Sequence, residues 1–556
     1  MAKKLYMGTD FFDKLIRENG YYVDKTEMIY ELVHEAKNEV TLFTRPRRFG
    51  KTLTMTMMES FFDCRRDSRE LFEPLAVYRD HPEFCAEWMN QYPTLFITLK
   101  DVEGLSFEKS YEKLKTTIAD VCKKYADLEY GEGVNPADAE TFHRLMFQKA
   151  EDAAVDQSLK TITRMMHAVY GKPVVLIMDE YDVPLAKAQE NGYYRQMLEV
   201  IRSLMSTALK TNEHLKFAFL TGCFRISKES IFTGMNNFVC YSVTNRSFSQ
   251  YFGFTPAEVQ AMLTEYHLED RYDLIREWYD GYLFGDTEVF GPWDVVNYVA
   301  NAIREPEEEP LNYWANTSSN AILDEFVNDS RMDVSEKFET LLNGGTFLQE
   351  ISDELTYDHL TDSEKNFWSV LLMTGYVTRA DLTGGRGGIR LRIPNKEIAE
   401  LFKDAVVRRF SRRLDASLAD AFIDALWGGD EATASSALSD ILWDSISYYD
   451  YGEEYYHGML NGIFTSRGYR LDSNDEAGLG RLDLRVKDRT RRRILLLEFK
   501  RVSSVTELSA GCGEALAQIE RNGYAKIRPE GYTRQLVYGV AFYGKQALVR
   551  QEPGRE

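Results

Sequence analysis

Residues 39–62 read EVTLFTRPRRFGKTLTMTMMESFF. The first six residues form a short β-branched and aromatic run, the middle is a basic turn, and the apolar positions of the remainder recur at helical spacing. The stretch therefore predicts strand, loop, helix. A loop that cradles phosphate needs main-chain N–H groups around the β-phosphate, a Lys ammonium at the β/γ oxygens, a hydroxyl for Mg²⁺ and a helix N-terminus behind them. Lys51, Thr52 and the following helix supply the last three, with Arg47, Arg48, Phe49 and Gly50 forming the wrap. The general pattern G-x-x-x-x-G-K-[ST] wants Gly at position 45, where this chain has Arg45. Arg disfavours positive φ, so the loop must begin differently from the common form.

Working outward, PVVLIMDEYD (173–182) is an apolar run ending in carboxylates, as a strand buried on both faces of a parallel sheet should read. LKFAFLTG (215–222) is a third strand ending in Thr and Gly, and TLFITLKD (94–101) is a further candidate within an otherwise helical 65–172. Small or polar residues at each strand's C-terminal end predict a three-layer α/β domain over 1–245 that gathers ligands at that edge. Asp179 then sits where a carboxylate holds the water shell of Mg²⁺, and Glu180 where one polarises an attacking water. Thr221 is placed to sense the γ-phosphate, and Arg225 and Arg246 are candidates for a charge-neutralising arginine.

Residues 246–345, with WYDGYLFG (278–285) and GPWDVVNYVANAI (291–303), suggest a helical lid. Over 346–440, a helix (EKNFWSVLLMTGYV), two short β runs around GGRGGIRLRIPN and a further helix suggest a winged-helix-like and helical connector. Residues 441–556 run helix, strand, strand, strand, helix, strand, an α-β-β-β-α-β order. Here Asp483 lies on one strand, and Glu498 and Lys500 share a face of the next because the side-chain period is two. Two carboxylates able to bind Mg²⁺ or Mn²⁺ beside an ammonium make a constellation suited to phosphodiester cleavage. The run ILLLEFK is too apolar before Glu498 for an edge strand. Glu453, four residues before His457 on one helix face, is a further candidate metal ligand, whereas His457 itself reads as structural. Gln518 and Tyr524, near the later helix, either contact DNA or pack the helix onto the sheet.

The 556 residues exceed one hydrophobic core, and 44% hydrophobic with 13% aromatic content excludes disorder as the main state. The longest apolar runs, VVLIM and ILLL, are far too short for a membrane span. With no secretory leader and six dispersed cysteines lacking a C-x-x-C pair, the sequence reads as cytoplasmic. A net charge of −21 argues against a surface that coats nucleic acid throughout. Residues 441–556, however, carry 18 Lys+Arg against 16 Asp+Glu, while the remainder carries 49 against 72. Within them Arg491, Arg492 and Arg493 follow Lys487 and Arg489, a cluster that reads either as a solvated turn or as a place for phosphates.

The segments YYVDKTEMIYEL (21–32), LFTRPRRFGKTLTMTMMESFF (42–62), LIMDEYD (176–182) and FLTGCFRISKESIFTGMNNF (219–238) resemble the bacterial AAA-ATPase-like proteins. EEYYHGML (453–460), GLGRLDLRV (478–486), LLLEFK (495–500) and ALAQIERNGY (515–524) resemble the PD-(D/E)XK nuclease domain attached to that family. In such proteins the loop reads RPRRFGK[ST], so Arg45 conforms to the family. The resemblance implies ATP and Mg²⁺ at Gly50, Lys51, Thr52, Asp179 and Glu180. It also implies nuclease metal chemistry at Asp483, Glu498 and Lys500. The fold expected is a multidomain α/β chain with a P-loop ATPase domain, a helical lid, a winged-helix-like middle and a C-terminal restriction-endonuclease-like domain. The function expected is an ATP-dependent or ATP-gated nuclease acting on DNA, in defence or mobile-element control, within a homo-oligomer or alone. The alternative is an ATP-binding switch whose nuclease-like domain binds nucleic acid or a protein without turnover.

Overall fold

Every side chain of VTLFT (40–44) and of VVLIMD (174–179) is buried, as in strands covered on both faces. In the computed structural model, which describes residues 3–36, 38–225, 238–307, 309–314, 323, 335–353, 355, 357, 363–382, 388–413, 415–445, 453–477, 480–524 and 531–553, both lie in one sheet. Its strands are β1 (Val40–Thr44), β2 (Thr94–Thr98), β3 (Val174–Asp179), β4 (Leu215–Gly222) and β5 (Phe238–Tyr241). They pair in the order β2-β3-β4-β1-β5, all parallel. Parallel neighbours need long crossovers, and the helices of residues 51–62, 107–124 and 158–170 pack onto the sheet. The strand before the loop, β1, is thus not adjacent to β3, the strand bearing Asp179. β4 lies between them and brings Thr221 to the middle of the edge where the loop ends.

Helix α1 (Lys51–Phe62) begins at Gly50, whose φ of 80° lets the chain turn from the loop into the helix. Ten of its twelve residues are buried, which fixes the helix against the sheet.

Residues 256–304 form α2 (Pro256–Tyr266), α3 (Tyr272–Tyr279) and α4 (Pro292–Arg304), joined through a core that includes Val259, Met262, Ile275, Val295 and Val299. Thr255 and Glu258 make a reciprocal capping box at the start of α2. The segment expected to form a helical lid also contains strands, since WYDGYLFG runs into a hairpin, β6 (Tyr282–Phe284) with β7 (Thr287–Val289). The Gly285-Asp286 pair, with Gly285 at φ 54°, is a two-residue hairpin turn, and alternation in YLF and TEV fits strands. Further on, β8 (Phe347–Gln349), α5 (Glu364–Thr374), β9 (Thr378–Arg379) and β10 (Ile389–Arg392) give a small sheet of order β8-β10-β9. Residues 383–387 of the Gly-rich tip lie outside the described residues.

The chain divides into two compact units, residues 1–317 with 348–397, and residues 318–347 with 398–556. In the second, α6 (Ala416–Gly428), α7 (Glu431–Ser445) and α8 (Glu453–Ser466) precede β11 (Arg470–Ala477), β12 (Gly480–Asp488) and β13 (Arg493–Arg501). Helix α9 (Leu508–Asn522), β14 (Arg534–Tyr543) and β15 (Gln546–Gln551) complete it. The sheet order is β11-β12-β13-β14-β15, antiparallel except for the parallel β13–β14 pair. β13 is therefore interior, as its apolar run required. Its alternation serves two cores. Leu495, Leu497 and Phe499 pack with Met459, Leu460 and Ile463 of α8, whereas Ile494 and Leu496 pack with Ile519 of α9. The sequence order α-β-β-β-α-β gains one further strand, β15, after a turn at Gly544.

Among the described residues, no helix is long and apolar enough to cross a membrane. All six cysteines are free thiols.

Candidate active sites

The first site forms at the C-terminal edge of the parallel sheet. Asp179 ends β3 and is fully buried, and three hydroxyls satisfy it. Thr52 Oγ1 donates to Oδ2 at 3.0 Å, Thr98 Oγ1 donates to Oδ2 at 3.2 Å, and Thr221 Oγ1 donates to Oδ1 at 2.7 Å. Thr52, Asp179 and Thr221 were singled out by their sequence context. Thr98 was not, and it arrives because β2 pairs with β3 in a register that sets it opposite Asp179. Burial, aided by the adjacent Glu180 charge, raises the Asp179 carboxyl above its ordinary range.

Lys51 is 3% exposed and donates to the main-chain oxygens of Arg45 (3.2 Å) and Pro46 (3.1 Å). Its ammonium also lies 3.2 Å from Glu180 Oε1. Burial opposes this charge, yet the Cys223 sulfur and the carboxylates of Glu180, Asp182 and Asp179 together push the Lys51 pKa up. Glu180 adopts a left-handed φ of 53°, a strained conformation for a residue with a Cβ, and its main-chain N–H donates to Thr221 Oγ1. Gly50, Lys51, Thr52, Glu180 and Arg48 line a cavity of about 470 Å³. The N-terminal segment, through Tyr6, Tyr21 and Val23, lines it with Phe254 and Trp293.

Arg45 has no positive φ; the left-handed positions of the loop are Arg48 (φ 72°) and Gly50. Its guanidinium is fully buried, donates to the carbonyls of Thr44, Tyr241 and Phe248, and stacks over Phe252 and Phe284. Burial lowers its pKa to about 9, which leaves it charged at neutral pH. It is a clamp between the loop and β5. Arg48 stacks over Trp293 at 4.3 Å, and its buried Nη1 has no hydrogen-bond partner among the described residues. Phe49 anchors the loop to the hairpin through Tyr282 and Phe284. Arg47 is half-buried near Cys223, Tyr357, Glu180 and Asp182, which outweigh its burial and raise its pKa. Arg225 stacks on Phe238, and Arg246 is exposed with Asp286 at 3.7 Å; neither lines the cavity.

Asp182, three residues after Asp179, was passed over in the sequence. It accepts the main-chain N–H groups of Cys223 (2.8 Å) and Phe224 (3.0 Å) and the Tyr357 hydroxyl (3.3 Å), fastening the chain just after β4. Gly222 permits this approach, since a Cβ there would sit 2.6 Å from Asp182 Oδ1.

The second site lies where β12 and β13 part. Their ladder runs from Asp488↔Arg493 to Leu484↔Leu497, and beyond it the carboxylates take over the main-chain donors. Asp483 N–H donates to Glu498 Oε2 at 3.3 Å, and Phe499 N–H donates to Asp483 Oδ2 at 2.7 Å. Glu498 is fully buried, and Gln518 of α9 donates to its Oε1. Lys500, two residues on, shares that face by the strand period and is partly exposed. His457 Nε2 bonds the Asp483 carbonyl oxygen at 2.7 Å, a structural tie from α8 to β12. Tyr524 accepts from Asn522 Nδ2 at 2.6 Å, and the charges of Glu498 and Asp483 contribute to its raised pKa, behind burial. The Glu453 side chain lies outside the described residues.

Residues 6–232 match the family described as "Predicted AAA-ATPase", and residues 451–552 match the PD-(D/E)XK nuclease superfamily. An uncharacterized protein in the vnfD 5' region of Azotobacter chroococcum mcd 1 is 28% identical over 560 residues, covering 97% of this chain and 96% of that protein. The chain thus carries an AAA-ATPase-like domain and, at its C-terminus, a PD-(D/E)XK nuclease domain. Domains of these two kinds generally use ATP and divalent metals.

Proposed function

We propose that the chain is an ATP-gated, Mg²⁺-dependent nuclease that hydrolyses phosphodiester bonds of DNA. The observation that carries this reading is the parting of β12 and β13. The last N–H donors of a broken ladder hold Asp483 and Glu498 together at a strand interior, with Lys500 on the same face. A surface ion pair would need no such arrangement.

The residues fit a divalent metal. Asp483 and Glu498 are hard oxygen donors without a thiolate among them, and Mg²⁺ is typically bound through one or two carboxylates while keeping several waters. When bound, the metal would supply an activated water and charge neutralisation at the phosphate. Glu498, fixed by Asp483 N–H and Gln518, holds its orientation; Lys500 provides an ammonium for the developing negative charge.

The first site fits a nucleotide on similar grounds. Its cavity is lined by Lys51, Thr52 and a helix N-terminus together with aromatic and apolar groups, and the buried Nη1 of Arg48, unpaired among the described residues, is beside it. Lys51 is held by Glu180 and two carbonyls, so binding a phosphate would draw the ammonium away from Glu180 and leave that carboxylate able to accept a proton from water. Thr52 and Asp179 would hold the metal of the nucleotide. At the second site the same oxygen donors would also take Mn²⁺.

The test is incubation of purified chain with linear and circular DNA and Mg²⁺ or Mn²⁺, beside Lys500→Ala. Cleavage that disappears in Lys500→Ala supports the reading. Absence of cleavage under every condition, with DNA still retained, would instead favour an ATP-binding switch whose C-terminal domain binds without turnover.

A further inference from the structure

At the far end of the β12–β13 hairpin from Asp483 and Glu498, the second unit has a cavity of about 390 Å³. Six basic residues line it: Arg467, Arg470, Lys487, Arg489, Arg491 and Arg493. Among the described residues, two carboxylates, Asp424 and Asp488, line it with them. In a chain of net charge −21, so concentrated a positive site stands against the average field.

Of these, Arg467 and Arg493 are fixed by ion pairs, and Arg470, Arg489 and Arg491 project to solvent. Arg467 Nε lies 2.5 Å from Asp420, and Arg493 pairs with Asp488 at 2.8 Å while stacking over Trp427 at 4.1 Å. These pairs build a rigid wall. Arg470, Arg489 and Arg491 are exposed, and their side chains make no ion pair among the described residues. Exposed arginines alone would be an ordinary solvated turn. Here the turn is also held in shape, because Arg491 N–H donates to Asp488 Oδ1 at 2.9 Å and Thr533 N–H donates to the Arg492 carbonyl at 2.8 Å. Arg492 takes a left-handed φ of 51°, where Gly or Asn would cost less. A strained, pinned turn of arginines over a basic cavity is arranged for an anion.

We infer that this cavity binds phosphate groups, and specifically the backbone of a nucleic acid held by the same unit, at a distance from the cleavage site. Asp483 and Asp488 are five residues apart on one strand, about 17 Å at 3.4 Å per residue. Duplex DNA advances about 3.4 Å per base pair, so the site would meet phosphates roughly five base pairs from the bond being cut. Arginine contacts to phosphate position the duplex without reading its sequence. This inference rests on the nuclease reading only for its second anchor point; the binding of phosphate does not.

The experiment measures binding of a labelled 30-base-pair duplex to the Lys500→Ala chain, with and without Arg489→Ala/Arg491→Ala, across a salt series. The expected result is a loss of affinity of about tenfold or more, and a slope of log K against log salt smaller by about 2, roughly 1 per lost phosphate contact. Unchanged affinity and slope would overturn the inference. Both substituted residues are exposed and outside the catalytic groups, so an unchanged circular dichroism spectrum and melting temperature are expected; Arg470→Ala provides an independent second removal. A parallel titration with inorganic pyrophosphate distinguishes the source of phosphate. Tight pyrophosphate binding lost in the double variant, with duplex affinity unchanged, would overturn nucleic acid as the occupant and assign the cavity to a free phosphate ligand. Cleavage by the chain with native Lys500 separates the two readings. If it is absent while duplex binding still depends on Arg489 and Arg491, the nuclease reading fails and this one stands. If it is present and duplex binding ignores both arginines, the reverse holds.

Discussion

The two carboxylate pairs of this chain, Asp179 with Glu180 and Asp483 with Glu498, are satisfied in opposite ways. Three threonine hydroxyls on α1, β2 and β4 hold Asp179, and a lysine holds Glu180. Asp483 and Glu498 are held instead by main-chain N–H groups and a glutamine on α9. A hydroxyl can rotate and change partner, and an ammonium on a long stem can move to a phosphate; a main-chain N–H cannot turn without moving its strand. On the proposed reading, the first pair would therefore exchange partners when a ligand enters. On the same reading, the second would keep one geometry throughout a reaction, as preorganised catalysis requires.

The largest effect expected from this contrast is on cleavage. Lys500→Ala should reduce phosphodiester hydrolysis by roughly 10²–10³-fold, the scale for removing one charge-stabilising group, with little change in melting temperature. Parallel rate and thermal-melt measurements would separate this from misfolding. Next, Lys51→Ala should weaken ATP binding by roughly 10–100-fold, the range for hydrogen bonds to a charged group, as read by calorimetry. Intact affinity would show that phosphate is bound elsewhere. Gln518→Ala, which removes one donor from Glu498 without touching the metal, should lower the cleavage rate by about tenfold and raise the metal concentration needed for half-maximal rate.

The smallest effect concerns pH. Burial raises the Asp179 pKa, so the folded chain holds this proton more tightly than the unfolded chain does. Its stability contribution is full below the ordinary carboxylate pKa and is lost as pH rises through the folded value. In metal-free buffer, Asp179→Asn should therefore stabilise the first unit more at neutral pH than at a pH below the ordinary carboxylate pKa, measured by denaturant unfolding. An equal change at both pH values would show that the three hydroxyls compensate burial completely.

The parts of the molecule legible in sequence are those whose chemistry is local. The 45–52 loop, the Asp179-Glu180 strand end and the ILLLEFK strand each declare themselves within about ten residues. Thr98 does not, since it lies 81 residues before Asp179 and meets it only through the β2–β3 register. Asp182 was hidden because its partners are main-chain N–H groups just after β4, set by the strand order rather than by any motif. The part of Arg45 in clamping β5 depends on Phe252 and Phe284, more than 200 residues away. By contrast, β15 and the 282–289 hairpin carry local signals, the two-residue turns Gly544-Lys545 and Gly285-Asp286.

The central claim, that nucleotide at the exchangeable pair gates hydrolysis at the fixed pair, is tested most directly by comparing DNA cleavage rates with and without ATP in the unaltered chain and in Lys51→Ala. The account predicts a rate that responds to ATP in the unaltered chain and no longer responds in Lys51→Ala, with Lys500 intact in both. Cleavage that proceeds equally with and without ATP in both chains would contradict it.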